Sequence, residues 1–213
     1  MNTKYEAVIF DLDGVLCTTD NFHYRACKDL ADRENIYFDE TINQRLRGVS
    51  RMESLEIVLE RAEKTYTDAQ KQAMAARKNE RYRELLERMT PADLPADVRP
   101  TLEALRKKGL LLAVGSSSKN TPLILGKLGL EHFFDAVADG NDITRSKPDP
   151  EVFLLAAQRV DKQPGVCLVV EDAVAGIEAA CRGGFDAAGI GPAAEDARAL
   201  FHLKAFAQLA REL

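Results

Sequence analysis

Two aspartates one residue apart, Asp11 and Asp13, follow the apolar run Ala7-Val8-Ile9-Phe10 and precede Gly14. Read as the end of a buried strand, this spacing sends both side chains off the same face of the pleat. Two carboxylates in one small volume repel each other unless a divalent cation or a shared proton relieves them, and hard oxygen ligands favour magnesium. A surface turn beside a helix cap is the plainer alternative. Three more polar groups stand near apolar runs. Ser116-Ser117-Ser118-Lys119-Asn120 gathers hydroxyls, an ammonium and helix N–H groups, a set that can hold a phosphate, although Ser or Asn as a simple N-cap explains it as well. Ser146-Lys147-Pro148-Asp149-Pro150 fixes a lysine in a rigid turn, and Glu171-Asp172 is an acidic pair that could equally complement a helix dipole.

Short apolar runs that read as buried strands recur at Leu110 to Val114, Ala136 to Ala138 and Val166 to Val170, and more weakly at Asp186 to Ile190. Helical patterns lie between them, over Thr101 to Lys108, Asn120 to Leu128, Pro150 to Val160 and Ala173 to Arg182, three of them ending at glycine. This alternation predicts an α/β fold with a doubly wound, mostly parallel, Rossmann-like sheet. Its ligand crevice must lie beyond the carboxyl ends of the strands, where all four polar groups fall. Residues 19–89 break the alternation with helical patterns alone and read as an inserted α-helical domain, leaving 1–18 and 90–213 as the core. Thr67 to Met89 is its longest stretch without Gly or Pro, and Thr90-Pro91-Ala92-Asp93-Leu94-Pro95 returns the chain to the sheet. The charge runs Glu60 to Lys64 and Arg77 to Arg88 read as solvated helix faces.

The chain has 213 residues, 46% hydrophobic and 30% charged, enough for one large domain with a modest insertion. Thirty-four acidic against 29 basic residues give a net charge of −5, and no basic block interleaves with aromatics, which argues against a nucleic-acid partner. No apolar run approaches a membrane span, and Met1-Asn2-Thr3-Lys4-Tyr5-Glu6 leads into only a short apolar stretch, so a cytoplasmic protein with no membrane partner is expected. Cys17, Cys27, Cys167 and Cys181 lack CxxC spacing and read as buried free thiols. A monomer is expected.

In its four motifs, Asp11-Leu12-Asp13-Gly14, Ser116, Lys147 and Glu171-Asp172, the chain resembles the haloacid dehalogenase superfamily over nearly its whole length. His23, Arg47-Gly48-Val49-Ser50-Arg51, Arg77-Lys78-Asn79 and Ser116 to Asn120 make it similar to the β-phosphoglucomutase family within that superfamily. The resemblance implies that Asp11 takes a phosphoryl group as an aspartyl phosphate and that Asp13 serves as general acid and base. It implies Mg²⁺ held by Asp11, the Asp13 main-chain carbonyl, Glu171 and Asp172, with Ser116 and Lys147 on the transferring phosphoryl oxygens. A mutase must also hold a second phosphate. The resemblance assigns this to Arg51, Ser118, Lys119 and Asn120, with Gly48 and Val49 approaching the sugar through their backbone, whereas composition alone makes Arg51 a solvated residue at a helix start. It further implies that His23 and Lys78 meet to couple binding to closure of the helical domain, and that Thr19 is a hinge residue limiting access of Asp13. Each of His23 and Lys78 is as readily an ordinary solvated helix residue. Two positions depart from the pattern: Arg47 stands where lysine is expected and Thr18 where aspartate is usual. The implied reaction interconverts β-D-glucose 1-phosphate and D-glucose 6-phosphate through β-glucose 1,6-bisphosphate. The alternatives are hydrolysis of small sugar phosphates, which needs the same four motifs, and a binding module that has lost its chemistry.

Overall fold

A computed structural model describes residues 4–46 and 49–213. The chain divides into two compact units, Met1–Thr18 with Thr90–Leu213, and Thr19–Met89.

The first unit is built on a six-stranded, wholly parallel sheet: β1 (Ala7–Phe10), β2 (Leu111–Gly115), β3 (Ala136–Ala138), β4 (Cys167–Glu171), β5 (Asp186–Ile190) and β6 (Phe201–Leu203), in the order β3-β2-β1-β4-β5-β6. Every residue of β1 is fully buried, because helices cover both faces of the sheet and leave a central strand no polar side. Ala7, Ile9, Ala113 and Val169 form one face and pack under α7 (Glu151–Arg159) and α8 (Val174–Arg182) through Val152, Phe153, Ala156, Ile177 and Ala180. Phe10 points the other way and meets Phe134 and Phe206 at ring distances of 6.2 and 5.7 Å. β1 is followed in sequence by its neighbour β2 on one side, and the chain later crosses to β4 on the other. The carboxyl end of β1 is therefore the switch point where α/β sheets open a crevice.

Several elements differ from the sequence reading. β6 is new; it has only three residues, with an exposed histidine in the middle, and lies at the sheet edge, so it carries no apolar run. α5 (Val98–Lys107) begins ahead of Pro100 rather than at Thr101, since a proline in the first turn gives up an N–H that has no helical partner there. β2 and β4 each start and end one residue later than expected. α6 (Thr121–Lys127) is short, and α9 (Leu209–Glu212) is a single turn. Glu60 to Lys64 is not a helix face but the turn and loop after the helix Arg51–Leu59. Cys17, Cys27 and Cys167 are buried free thiols, but Cys181 is an exposed one. Cys181 is the next-to-last residue of α8, beside the exposed Arg182.

The second unit is helical: α1 (Asp20–Arg33), α2 (Glu40–Gln44), α3 (Arg51–Leu59) and α4 (Asp68–Leu86). α3 and α4 each open with a reciprocal capping box, Ser50 with Glu53 and Thr67 with Gln70, which satisfies helix N–H groups that would otherwise lack partners. Cys27, Ala31, Ile36, Phe38, Ile42 and Val58 form one small core of this unit; Leu30, Leu55, Met74 and Ala75 form another. No helix among the described residues is long and apolar enough to cross a membrane.

Candidate functional site

β1 ends at Phe10, but the Asp11 N–H still donates to the Val170 carbonyl at 2.9 Å and so keeps Asp11 level with Glu171, the last residue of β4. Leu12 to Cys17 then turn, with the Leu16 N–H on the Leu12 carbonyl and the Gly14 N–H on the Cys17 carbonyl. The chain therefore leaves strand geometry at Leu12, so the single extended pleat expected through Asp11 and Asp13 is not formed. Gly14 has φ +88° and lies so close to Asp172 that a β-carbon there would stand 2.1 Å from its Oδ2; only glycine meets both conditions.

Lys147 reaches this place from the loop between β3 and α7. Its ammonium donates to Asp11 Oδ1 and to Glu171 Oε1, both at 2.6 Å, and lies 4.5 Å from the centre of the Phe153 ring. Lys147 is 6% exposed, Asp11 8% and Glu171 1%, so this is a buried charge cluster and not a surface ion pair. The second Glu171 oxygen accepts the Ala173 N–H at 2.9 Å. Glu151 anchors the loop that carries Lys147, its two oxygens accepting the Thr144 and Arg145 N–H groups at 3.0 and 2.9 Å.

Burial alone would drive the Lys147 ammonium toward neutrality, but the adjacent Asp11 and Glu171 carboxylates outweigh it and hold its pKa above the ordinary value. Burial, with Asp11 nearby, pushes Glu171 up despite Lys147. Asp172 is pushed up to about 8, first by burial and then by Asp11, Glu171 and Asp13. Asp11, Glu171 and Asp172 place ligand oxygens within 4.8 Å of one another. One lysine does not balance this many carboxylates, and an all-oxygen set crowded until its members resist ionisation is what a hard divalent cation relieves. These residues fit such an ion. The Asp13 carboxylate is not among the three gathered.

Ser116 directly follows β2 and is buried; its N–H donates to the Ala138 carbonyl at 3.1 Å. Its hydroxyl accepts the Ser118 N–H at 3.3 Å, and the Ser118 hydroxyl accepts the Asn120 N–H at 3.2 Å. Asn120 is buried at the N-cap position of α6, and its side chain makes no capping hydrogen bond; the cap-like bond at this helix start is the one the Ser118 hydroxyl accepts. Lys119 is exposed. α6 has only seven residues, so the side chains of the segment carry more of any anion binding than the helix dipole. The Ser117 hydroxyl lies 3.5 Å from the Lys147 N–H, which links this segment to the lysine loop.

In the helical unit, α1 and α4 bring His23 and Lys78 together, with Nζ 2.9 Å from Nδ1. The ammonium can only donate, so Nδ1 must be the unprotonated nitrogen. Burial, then the nearby Lys78 and Arg51 charges, hold His23 well below its ordinary pKa. Its ring stacks on Tyr82 at 4.0 Å, Lys78 lies over the same ring at 5.2 Å, and the Tyr82 hydroxyl is 2.7 Å from the fully buried Thr19 hydroxyl. Sequence reasoning missed Tyr82. Its position four residues after Lys78 puts it on the same helix face and was the available signal. Arg51 is exposed at the first position of α3 and donates to Asn79 Oδ1 on α4 at 2.9 Å. Val49 is partly buried and Thr18 exposed; Gly48 and Arg47 lie outside the described residues.

A family model described as haloacid dehalogenase-like hydrolase matches residues 5–184. A β-phosphoglucomutase of Bacillus subtilis (strain 168) is 42% identical over 188 residues, 87% of this chain and 83% of the relative. A phosphorylated carbohydrates phosphatase of Thermotoga maritima is 33% identical over 184 residues, 85% of this chain and 82% of that protein. The crystal structure of a β-phosphoglucomutase from Clostridium difficile superposes with a TM-score of 0.89 at 34% identity, covering 96% of this chain and 93% of that one. The sheet order, the carboxylate–lysine cluster at its switch point and these likenesses agree: the chain belongs to the haloacid dehalogenase-like hydrolases.

Proposed function

We propose that this protein is a Mg²⁺-dependent phosphosugar mutase that interconverts β-D-glucose 1-phosphate and D-glucose 6-phosphate through β-glucose 1,6-bisphosphate. Asp11 attacks phosphorus and carries the phosphoryl group as an aspartyl phosphate. Asp13 gives a proton to the departing sugar oxygen and takes one from the attacking hydroxyl in the return step. Lys147 and Ser116 meet the phosphoryl oxygens, where charge spreads in the transition state. Asp11, the Asp13 carbonyl, Glu171 and Asp172 would hold the metal ion, which supplies further positive charge to the same oxygens. Arg51, Ser118, Lys119 and Asn120 hold the second phosphate, and Gly48 and Val49 contact the sugar through their backbone. Residues 19–89 act as the cap, with His23 and Lys78 coupling substrate binding to closure and Thr19 at the hinge. Closure excludes water that would hydrolyse the aspartyl phosphate.

The observation that carries the reading is the buried Lys147 ammonium held at 2.6 Å by both Asp11 and Glu171, because it supports phosphoryl transfer at a carboxylate. Mutase is preferred over hydrolase on the 42% identity to a β-phosphoglucomutase. Hydrolysis of small sugar phosphates is the second reading, favoured by the phosphatase relative at 33%. The test supplies β-D-glucose 1-phosphate, Mg²⁺ and a trace of glucose 1,6-bisphosphate, and follows glucose 6-phosphate and inorganic phosphate in parallel. Glucose 6-phosphate without matching phosphate release is the expected outcome. Phosphate released with free glucose replaces the mutase by the hydrolase.

A further inference from the structure

The segment Ser116–Asn120 is backed along its length by the loop that follows β3. Gly140 donates its N–H to the Ser118 carbonyl at 3.2 Å, and the Asn141 side-chain amide donates to the Lys119 carbonyl at 3.0 Å. The two loops approach so closely that a β-carbon on Gly140 would lie 2.3 Å from the Ser117 carbonyl oxygen and 2.9 Å from the Lys119 nitrogen. Both are backbone atoms, so no rotamer change could absorb the clash. Gly140 does not have positive φ; its requirement is for space and not for a left-handed backbone.

The backing loop is itself held firmly. The buried Asp139 accepts the Asn141 N–H at 2.7 Å, and Asp142 accepts the Asp139 N–H at 2.9 Å. Asp142 in turn pairs with Arg159 of α7 at 2.8 and 2.9 Å, and Arg159 also donates to the Val137 carbonyl of β3. A surface loop tied to a strand and a helix in this way is a rigid backing on which a binding segment can be set to a fraction of an ångström.

We propose that Gly140 and Asn141 are positioning residues for the Ser116–Asn120 segment: Gly140 by permitting its close approach and Asn141 by holding the Lys119 carbonyl, so that the loop after β3 sets where the second phosphate of the substrate binds. The proposal rests on reading Ser118, Lys119 and Asn120 as holding that phosphate. Neither residue touches substrate. Both act through the backbone that carries Ser118 and Lys119.

The experiment measures KM and kcat for β-D-glucose 1-phosphate, with Mg²⁺ and saturating glucose 1,6-bisphosphate, in Asn141→Ala, Asn141→Asp and Gly140→Ala. Loss of one positioning hydrogen bond should raise KM about five- to tenfold and leave kcat within about twofold. Asn141→Asp should be at least as damaging as Asn141→Ala, because a carboxylate cannot donate to a carbonyl. Gly140→Ala should raise KM further; if it fails to fold, the Asn141 variants decide. A purely structural role is separated by a cycle: in a Ser118→Ala, Lys119→Ala background, Asn141→Ala should cost less than about threefold. An undiminished cost in that background overturns the proposal. So does an unchanged KM in the Asn141 variants when Ser118→Ala, Lys119→Ala raises it, and in that case the second-phosphate reading stands. If Ser118→Ala, Lys119→Ala leaves KM unchanged, or the wild-type protein does not turn the substrate over, the functional reading fails and this proposal falls with it.

Discussion

Lys147 in the sheet unit and Lys78 in the helical unit are both drawn out of open solvent, and their surroundings have opposite chemistry. Lys147 in the sheet unit is met by two carboxylates at 2.6 Å and is held charged. Lys78 in the helical unit is met by a ring nitrogen that must be unprotonated to receive it, over the face of Tyr82. In the first cluster charges stabilise each other and the acids are forced up; in the second the neighbour is forced to neutrality. A cluster of opposite charges tolerates burial only while it is complete, so it marks a place where charge is used. A neutral histidine beside an ammonium adds no second charge, so that cluster does not depend on charge pairing. The contrast can be broken at either end.

The largest effect is expected from Asp11→Asn, which keeps shape but removes the attacking oxygen anion. Turnover should fall by at least about 10⁴-fold, read by the coupled glucose 6-phosphate assay, and no aspartyl phosphate should form. Activity retained in this variant sinks the mechanism. Lys147→Ala comes next. It leaves Asp11 and Glu171 buried without their cation, a change that costs about 3–5 kcal/mol. Urea unfolding should show this loss without metal and partial recovery with Mg²⁺. Equal losses in both conditions would mean the carboxylates do not form a metal site.

Why these core residues could be read from sequence, and others could not, follows from what surrounds them. Asp11, Ser116 and Glu171 each close or follow a continuous apolar run, because a strand buried on both faces leaves no room for polar residues until it ends. β6 has no such run, with three residues and a solvent-facing His202, and its pairing is decided by β5 alone. One extended pleat through Asp11 and Asp13 was expected, but the chain turns over Leu12 to Cys17, because a turn held by its own backbone hydrogen bonds carries no apolar alternation that sequence could reveal. Tyr82 was hidden in a run of charges on α4; it is a core residue, and its contacts with the Thr19 hydroxyl and the His23 ring come from α1 and its N-cap, far away in the chain, which sequence spacing does not show. Asn141 carries no signal of its own; its partner is a backbone carbonyl 22 positions away.

Arg51 sharpens the helical side of the contrast. Its guanidinium is exposed and donates to Asn79 of α4, a side chain without charge. If it serves as the forked donor to a phosphate, Arg51→Ala should raise KM for β-D-glucose 1-phosphate about 10- to 100-fold, as expected for charge-assisted hydrogen bonds. Arg51→Lys should recover only part of this, because an ammonium cannot present the planar fork. Undiminished turnover with release of inorganic phosphate favours the hydrolase.

The smallest effect belongs to His23. Its pKa in the folded protein is well below the ordinary value of 6.5, from burial first and then from Lys78 and Arg51. Below about pH 6.5 the unfolded chain therefore binds a proton that the folded chain refuses. Stability is fully present above that pH and is lost as pH falls, by at most about 1.4 kcal/mol per pH unit for one proton. Urea unfolding of the wild-type protein between pH 5 and 8 should show this slope, and His23→Gln should remove it, since glutamine has nothing to titrate. A slope that survives in His23→Gln assigns it to other groups. A His23 resonance that titrates near 6.5 in the folded protein would break the contrast itself: the ring would then accept a proton beside Lys78, and the two lysines would no longer differ in what their neighbours are made to give up.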